Sequence, residues 1–433
     1  MIDKRLHRIQ NAPLEGKVVL VRFDHNVVKK GSIRDPYRID RSMGTLYNIV
    51  ERGGRPILMT HIGRPRDKEG RITIKEDESV RPIVEYLERK LHVKLLVPEF
   101  QSEPGEGIKN IDTSINHAIK ALRERKIGGI YLPNTRWFKG EEAKDKWRER
   151  FALQLAGLAD IYVNDAFGSW QPHASTYDIT RYLPSYAGFL MQEEIENLNF
   201  VLAPERPFLA VIAGAKYDTK IKPLYALYEK ADCLILGGVI YNAFLAAKYG
   251  ISIKGVAPED TEAAKDLVEK DRKEHKIIEL PYIIESDTME DKIEGRYRRV
   301  AAKNFKPGQS YNYFLDIAAE SFADENVLDA LLKARTIFVN AVMGYTPYFT
   351  EGSKALDETI DRNPVAKKLY GGGDTLQEFK NLCPGLYLSV LDSAQYYFFT
   401  GGGTVLTAIE QGSPYGLLPV KALMEKSHAE AMV

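Results

Sequence analysis

Cysteine is nearly absent from this sequence. Only Cys233 and Cys383 occur among 433 residues, and neither lies in the close spacing of a metal-binding motif. Two thiols in so long a chain favour a reducing environment, so we expect a cytoplasmic protein. Cys233, in the run ADCLILGG, is predicted to be a core residue of a buried strand.

An excess of one charge and long apolar runs are also missing. The chain has 60 basic and 60 acidic residues and a formal net charge of zero, which argues against a non-specific nucleic-acid binder. No apolar run reaches the length of a membrane-spanning helix, and the first residues, MIDKRLHRIQ, contain no signal-peptide core. We therefore expect neither nucleic acid nor membrane among the partners.

Three nucleotide-binding signatures are absent as well. There is no GxxxxGK[ST] segment, which excludes a P-loop NTPase. No GxGxxG opens a strand–helix–strand unit, which weakens a dehydrogenase interpretation. The HRD and DFG motifs of protein kinases are missing in their usual order.

The apolar segments that are present are short and alternate with amphipathic helices. This alternation predicts parallel sheets with helices on both faces, whose ligands bind beyond the carboxyl ends of the strands. A chain of 433 residues is too long for one core. The predicted fold class is therefore α/β, with two doubly wound parallel-sheet domains joined by a helix and a cleft between them. The predicted strands are VVLVRF (18–23), PILMT (56–60), GGIYLPN (128–134), ADIYVND (159–165), FLAVI (208–212), CLILGG (233–238), NYFLD (312–316), TIFVN (336–340) and QYYFFT (395–400).

Helical spacing marks two further segments. One helix is predicted after the first strand and ends at Gly53-Gly54; its apolar face comprises Ile39, Met43, Leu46, Tyr47 and Val50. A second is predicted over 188–203, from Met191, Ile195, Leu198 and Leu202.

The second helix marks the predicted domain boundary, although it also fits an ordinary crossover within one large sheet. Strand ends change from basic and polar to glycine-rich across it, which favours two domains. The predicted organisation is a substrate domain over 1–187, a connecting helix and hinge over 188–206, and a nucleotide-binding domain over 207–409. The segment 410–433 is predicted to pack back on the substrate domain.

Charged or polar side chains follow the strands of the first half. Such side chains suit a small anionic substrate. THIGRP (60–65) equally fits a tight turn with a solvated arginine, and solvation is also the default interpretation of the arginine in DPYRID (35–40). The side chains at these strand ends are Asp24, Asn26, His61, Arg64, Asn134 and Arg136.

Glycines follow the strands of the second half. Glycine lets the main chain approach a ligand closely, so its N–H groups can hold a polyphosphate. Together the two patterns suggest phosphoryl transfer between two domains. The glycines are Gly214, Gly237-Gly238, Gly344, Gly371-Gly372-Gly373 and Gly401-Gly402-Gly403.

Two lysines and one aspartate add to the glycine pattern. Lys216 and Lys220 in GAKYDTKI are four residues apart, so both ammonium groups share a face if a helix begins there. That arrangement fits a phosphate site and also a solvated pair, but the preceding strand and Gly214 favour the phosphate site. Asp374 in GGGDT is expected to lie near bound phosphate, as a magnesium ligand or as a simple helix cap.

The ordered series of motifs resembles the phosphoglycerate kinase family over about residues 17–410. Each motif is weak alone, but the series in this order is specific. The segments that carry the resemblance are VLVRFDHN, THIGRP, NTRWFKGEEAKD, FALQLAGLADIYVNDAFG, HAST, AGFLMQEEIENL, ERPFLAVIAGAK, LILGG, LDI, VNAVMG, GGGDT and FTGGGT.

The resemblance implies a monomeric, two-lobed kinase that transfers a phosphoryl group between 1,3-bisphosphoglycerate and ADP, giving 3-phosphoglycerate and ATP with Mg²⁺. Asp374 is implied as the magnesium ligand. Implied substrate-binding residues are Asp24, Asn26, Arg38, His61, Arg64 and Arg136; implied nucleotide-binding residues are Gly214, Ala215, Lys216, Lys220, Gly237, Gly238, Asn340, Gly373, Asp374 and Thr375; implied catalytic groups are Arg38, Lys220, Gly373 and Gly403.

The sequence departs from the family pattern at both ligand sites. The segment Ser169-Trp170-Gln171-Pro172 lacks the arginine that helps the family to bind the distal phosphate, and Pro347 stands where the family has a ribose-binding glutamate. Two alternatives follow: a kinase on the same scaffold for another carboxylate or acyl phosphate, and a non-catalytic relative. Retention of Arg38, Lys220 and Asp374 counts against the second alternative.

Overall fold

The computed structural model describes residues 2–214 and 220–425. The chain divides into two compact units. The first unit comprises residues up to Glu196 together with those from Ser413 onward, and the second comprises Asn197–Gly412. The boundary falls inside the helix over Phe189–Leu202.

The first unit is built on a six-stranded sheet in the order β10-β9-β1-β4-β8-β5. Every pairing in it is parallel. All six residues of β1 (Val18–Phe23) are buried, which explains why this strand is apolar except for Arg22. The strands of this unit, including two short hairpins, are β1 (Val18–Phe23), β2 (Val28–Lys29), β3 (Ser32–Ile33), β4 (Arg55–Met59), β5 (Leu95–Leu96), β6 (Ser102–Glu103), β7 (Gly107–Ile108), β8 (Gly129–Tyr131), β9 (Ile161–Asp165) and β10 (Ser185–Ala187).

Helices connect these strands. Asp145 caps the N-terminus of α5 (Lys146–Ala156) by accepting a hydrogen bond from the Trp147 amide at 3.0 Å, the usual N-cap arrangement. The helices are α1 (Tyr37–Arg41), α2 (Met43–Glu51), α3 (Arg81–Leu91), α4 (Ile115–Arg123), α5 (Lys146–Ala156) and α6 (Phe189–Leu202).

The second unit is built on a five-stranded sheet in the order β12-β11-β18-β19-β20. Its pairings are also parallel. A three-stranded antiparallel sheet, β15-β14-β17, accompanies it. The strands are β11 (Phe208–Gly214), β12 (Cys233–Gly237), β13 (Ser252–Ile253), β14 (Tyr282–Ser286), β15 (Tyr297–Ala301), β16 (Ser310–Tyr311), β17 (Tyr313–Ile317), β18 (Thr336–Asn340), β19 (Lys367–Gly371) and β20 (Tyr396–Phe399).

Two helices of the second unit begin within the predicted glycine runs. One begins at Gly373 and the other at Gly402. Among the described residues, no helix combines the length and apolarity needed to cross a membrane. The helices of the second unit are α7 (Ile221–Lys230), α8 (Gly238–Tyr249), α9 (Pro258–Glu274), α10 (Glu325–Lys333), α11 (Glu351–Asp361), α12 (Gly373–Leu382), α13 (Pro384–Val390) and α14 (Gly402–Gln411). After them, α15 (Leu418–Ala422) belongs to the first unit.

The fold class predicted from the sequence, two parallel-sheet α/β domains, is confirmed, but two strand assignments need correction. The NYFLD strand belongs to the antiparallel sheet as β17, because β14 pairs with it in the opposite direction. Cys233 begins β12 but is only partly buried, because it lies at the entry of the strand rather than in its centre.

The predicted helix after β1 is two helices that meet at Ser42. Ile39 and Leu46 are buried as predicted. Tyr47 and Val50, however, are 47% and 50% exposed, because the buried face of α2 consists of Met43, Thr45, Leu46 and Ile49. The break at Ser42 separates the short helix that carries Arg38 from the longer one.

Candidate functional site

The segment after β1 brings several predicted substrate residues together at one edge of the first sheet. Asp24 Oδ2 accepts a hydrogen bond from Arg38 Nη1 at 3.2 Å. Asn26 Oδ1 accepts one from the Gly63 amide at 3.1 Å, and Asn26 Nδ2 lies 3.2 Å from His61 Nε2. The carboxyl ends of β1 and β4 therefore share one polar cluster, as expected for adjacent parallel strands.

His61 is an uncharged member of this cluster. Its Nδ1 lies 3.0 Å from Arg22 Nη2, and because an arginine can only donate, Nδ1 must accept. Burial, followed by the nearby Arg22, Arg136 and Arg38, holds the pKa of His61 well below its ordinary value. The positive charge at this edge therefore comes from arginines.

Arg22 is a residue that the sequence prediction missed. It is 1% exposed, and its Nε donates to Ser175 Oγ at 2.9 Å. Ser175 Oγ donates in turn to Glu141 Oε1 at 2.6 Å, and Glu141 is fully buried. The available signal was an arginine inside an otherwise apolar strand, VVLVRF, where an unpaired charge would be costly.

Arg136 lies after β8 and is partly neutralised by the protein itself. Its Nη1 donates to the Gly63 carbonyl at 2.5 Å, and its Nε lies 2.9 Å from Glu142 Oε1. His173 Nε2 lies 3.9 Å from the same oxygen, and Arg66 Nε lies 3.9 Å from Glu142 Oε2. An anionic ligand at Arg136 must therefore compete with Glu142, a residue that the sequence prediction also missed.

Asn134 and Arg64 differ in their surroundings. Asn134 is fully buried and accepts hydrogen bonds from the amides of Ile62, at 3.0 Å, and Arg136, at 3.1 Å. It thereby ties the loop after β4 to the loop after β8. Arg64 is exposed, so the solvated alternative stays open for this side chain.

Lys220 turns back over the carboxyl edge of the second sheet. Its Nζ donates to the Ala213 carbonyl and to Asn340 Oδ1, the latter at 2.6 Å. Helix α7 begins only at Ile221, with Lys220 at the N-cap. The predicted helical face shared by two lysines is therefore wrong for Lys220, and Lys216 lies outside the described residues, as does Ala215.

Asn340 connects this lysine to the first glycine turn. While its side-chain oxygen accepts from Lys220, its Nδ2 donates to the Gly371 carbonyl. Burial lowers the pKa of Lys220 to about 8, and the carboxylate of Asp374 partly offsets that effect. The ends of β11, β18 and β19 thus meet around one ammonium group.

The two glycine turns lie against each other, backbone to backbone. A Cβ on Gly402 would lie 2.4 Å from Gly372 Cα and 2.7 Å from Gly372 N. Gly372 itself has φ +125°, a region that favours glycine. Helices α12 and α14 therefore begin side by side, and their unpaired N–H groups are available to an anion.

The remaining predicted nucleotide residues lie along the same edge. Gly214 and Gly238 face each other in a bridge between the ends of β11 and β12, and a Cβ on Gly237 would lie 2.7 Å from Met343 Sδ. Thr375 is buried in the first turn of α12. Gly373, Asp374 and Gly403 are exposed at the starts of the two helices.

Side chains that could bind a metal ion are not clustered in the part of the chain that the structure describes. Within 2–214 and 220–425, no three His, Cys, Asp or Glu side chains are grouped so as to hold a metal ion. Asp374 is an exposed carboxylate in the first turn of α12. That donor set fits Mg²⁺, which proteins bind through one or two carboxylates together with substrate phosphates.

Comparison with known proteins identifies the class as a kinase whose phosphoryl acceptor is a carboxyl group. A family model described as phosphoglycerate kinase matches residues 9–412. With that match over nearly the whole sequence, the chain belongs to the phosphoglycerate kinase family.

Individual relatives show similarity over almost the full length. The phosphoglycerate kinase of Trichodesmium erythraeum is 32% identical over 421 residues, covering 95% of this chain and 97% of the relative. That of Methylorubrum extorquens is 34% identical over 412 residues, covering 92% and 94%. The solved phosphoglycerate kinase of Coxiella burnetii superimposes with a TM-score of 0.74 at 27% identity, covering 96% of this chain and 98% of that one.

Proposed function

We propose that the first unit binds phosphoglycerate and the second binds the magnesium nucleotide. The observation that carries this division is the contrast between the two carboxyl edges. One is built from arginines, a neutral histidine and amides, and the other from glycine turns around Lys220. In the proposed limits, 1–187 together with 410–433 forms the substrate domain, 188–206 the hinge, and 207–409 the nucleotide domain.

On the substrate side, each proposed role follows from what the residue already contacts. Arg38 and Arg136 supply charge for the carboxylate and phosphate oxygens, because a guanidinium binds such groups with two parallel hydrogen bonds. Neutral His61 and Asn26 offer hydrogen bonds without adding charge. Arg64 is exposed and is proposed to close on the ligand from solvent.

On the nucleotide side, backbone groups do most of the binding in this proposal. Gly214, Gly237 and Gly238 let the main chain approach the nucleotide. Lys220 and the start of α12 hold its phosphates, with Asn340 and Thr375 fixing that geometry. Ala215 and Lys216 complete the proposed set by their place in the sequence.

Phosphoryl transfer has a loose transition state in which charge spreads over the equatorial oxygens. Fixed positive groups lower the barrier most when they are already in place. Arg38 is held by Asp24, Lys220 is held by Asn340, and helices α12 and α14 present N–H groups at Gly373 and Gly403 in their first turns. We assign the stabilisation of the transferring group to these four sites.

Magnesium is proposed to bind at Asp374 together with nucleotide phosphates. When bound, it supplies positive charge against the phosphate oxygens. The exposed position of Asp374 in the first turn of α12, near Lys220, supports this role. A carboxylate placed there would otherwise repel the nucleotide.

A coupled assay with purified protein, ATP, magnesium and 3-phosphoglycerate tests the proposal. Turnover of about 1–1,000 per second is the usual enzyme range. Such turnover would show that the protein uses phosphoglycerate although the segment around Gln171 lacks the family's arginine. Absence of turnover with intact magnesium-nucleotide binding would instead favour another carboxylate or acyl phosphate. Loss of both would favour a non-catalytic protein.

Replacing Asp374 with alanine should weaken binding of MgADP but not binding of metal-free ADP, because the carboxylate attracts the nucleotide only through the cation and repels it otherwise. Titration calorimetry with and without magnesium measures both. Asp392→Ala, at another exposed aspartate of the same unit, should change neither. An Asp374→Ala protein whose MgADP affinity equals that of the wild type would refute the metal role.

Nucleotide affinity should fall as the pH rises through about 8. Burial lowers the pKa of Lys220 to about 8, so its ammonium group is charged below that pH and loses its charge above it. Phosphate binds the charged form, and Kd for MgADP should therefore increase above pH 8. Lys220→Arg keeps the charge throughout and should flatten the profile; a wild-type Kd constant from pH 7 to 9.5 would contradict the assignment.

We further propose a monomeric, cytoplasmic enzyme. Both cysteines are free, which supports a reducing compartment. Light scattering should report the mass of one chain, 49.0 kDa, and a mass of twice that value would replace the monomer with a dimer.

A further inference from the structure

His25 lies between two proposed site residues but is directed into the core. Asp24 and Asn26 contact the substrate cluster, whereas the His25 ring is fully buried and stacks on Phe23, with centroids 4.8 Å apart and ring planes 8° from parallel. Its backbone amide donates to Thr60 Oγ1 at 2.9 Å. His25 therefore occupies the junction between the catalytic edge and the hydrophobic core.

Both ring nitrogens of His25 have polar partners from other elements. Nδ1 lies 2.9 Å from the Tyr131 hydroxyl in β8. Nε2 lies 2.8 Å from Ser42 Oγ, at the break between α1 and α2. An apolar aromatic residue could also stack on Phe23. Stacking therefore does not explain the two polar contacts of the His25 ring, to Tyr131 and Ser42.

The hydrogen-bond network defines the direction of these contacts. Ser42 Oγ donates its only hydrogen to the Ile39 carbonyl at 2.7 Å, so it must accept from His25 Nε2–H. Neutral histidine then has an acceptor at Nδ1, which takes the Tyr131 hydroxyl hydrogen. The result is a one-way chain from Tyr131 through His25 and Ser42 to the backbone of α1.

That backbone belongs to the helix that carries Arg38. Ile39 is the next residue, and α1 ends two residues after it, at Arg41. The segment after β1 therefore holds this short helix at two points: Asp24 binds the Arg38 side chain at 3.2 Å, and His25 holds the end of the helix through Ser42. We propose that His25 is a positioning residue for Arg38, fixing the guanidinium through the Nε2–H···Ser42···Ile39 connection. This inference rests on the proposed role of Arg38.

The test compares His25→Phe with His25→Gln. Phenylalanine keeps a ring against Phe23 and removes both hydrogen bonds, and kcat should fall about ten- to a hundredfold, as for a displaced catalytic group, with KM for MgATP unchanged. Glutamine places an amide nitrogen near the position of Nε2, and should recover most of the lost kcat by donating to Ser42.

A double-mutant cycle separates positioning from general damage. In an Arg38→Ala background, His25→Phe should cause no further fall in kcat, because the group it positions is absent. An equal fractional loss in both backgrounds would overturn the proposal, and so would a His25→Gln protein as impaired as His25→Phe. If Arg38→Ala itself leaves kcat unchanged, the proposed role of Arg38 fails and the inference fails with it. If Arg38→Ala lowers kcat but the two substitutions act independently, only the inference about His25 fails.

Ser42→Ala provides a milder variant if His25→Phe does not fold. It removes the middle of the connection and leaves the ring and its stacking in place. A fall in kcat similar to that of His25→Phe, with an unchanged circular dichroism spectrum, is the expected result. An unchanged kcat in Ser42→Ala would overturn the proposed route through Ser42.

Discussion

Replacing Arg38 with alanine should lower kcat about a thousandfold, while Kd for MgADP changes little. The reason is that Arg38 lies in the first unit, fixed by Asp24, and is proposed to stabilise the charge of the transferring group in the transition state in addition to binding the substrate. Loss of such a contact appears in kcat rather than in nucleotide affinity. Steady-state kinetics in both reaction directions, with calorimetry for the nucleotide, measure the effect.

Two variants give this prediction its controls. Arg38→Lys keeps a positive charge beside Asp24 but lacks the planar fork of the guanidinium, and should recover only part of the activity. Arg34→Ala removes an exposed arginine four residues earlier and should retain wild-type kcat. A kcat within about twofold of wild type for Arg38→Ala, a difference well under 1 kcal/mol, would remove Arg38 from the mechanism.

Gly402→Ala should reduce nucleotide affinity and kcat about a hundredfold, the usual cost of displacing preorganised backbone donors. A Cβ at this position would lie 2.4 Å from Gly372 Cα and 2.7 Å from its nitrogen. Both atoms are backbone, so no side chain can rotate to make room. The starts of α12 and α14 must separate, which displaces two sets of N–H groups at once. MgADP calorimetry measures the affinity, and steady-state kinetics measure kcat.

Gly385→Ala is the matched control for this substitution. Gly385 also lies in the first turn of a helix, α13, and a Cβ there would meet nothing within 4 Å. It should bind nucleotide normally and be neutral or slightly stabilising, since alanine is the better helix former. Wild-type affinity in Gly402→Ala would show that the contact between the two turns does not shape the nucleotide site.

The sequence predicted best the features that depend on local pattern. Apart from Arg22, the run VVLVRF is apolar because β1 is buried along its whole length. The polar residues after it meet those after β4 because parallel strands end at the same edge. Asp24, Asn26 and His61 could therefore be grouped without coordinates. The roles proposed for these residues are predictions that kinetics must test.

Features that depend on tertiary contacts were not predictable from spacing. Nothing in GAKYDTKI shows that Lys220 turns back to Asn340, 120 residues away in sequence. Apolar periodicity through Val50 could not reveal the break at Ser42, because the apolar residues keep helical spacing across it. Arg22 was visible as a charge in a strand, but its partner Ser175 follows β9 and is distant in sequence.

Glu142 affects how anions bind to and leave the proposed substrate site. An arginine cluster without an internal counter-ion would retain any anion from the surrounding solution, including inorganic phosphate. Here the Glu142 carboxylate already lies 2.9 Å from Arg136 Nε. An anion that binds Arg136 must therefore displace this carboxylate, which returns to Arg136 when the anion leaves. If Arg38 and Arg136 bind the substrate as proposed, the Glu142 carboxylate should lower the affinity for small anions that make few other contacts and speed the release of product. The site should then favour ligands that engage both arginines.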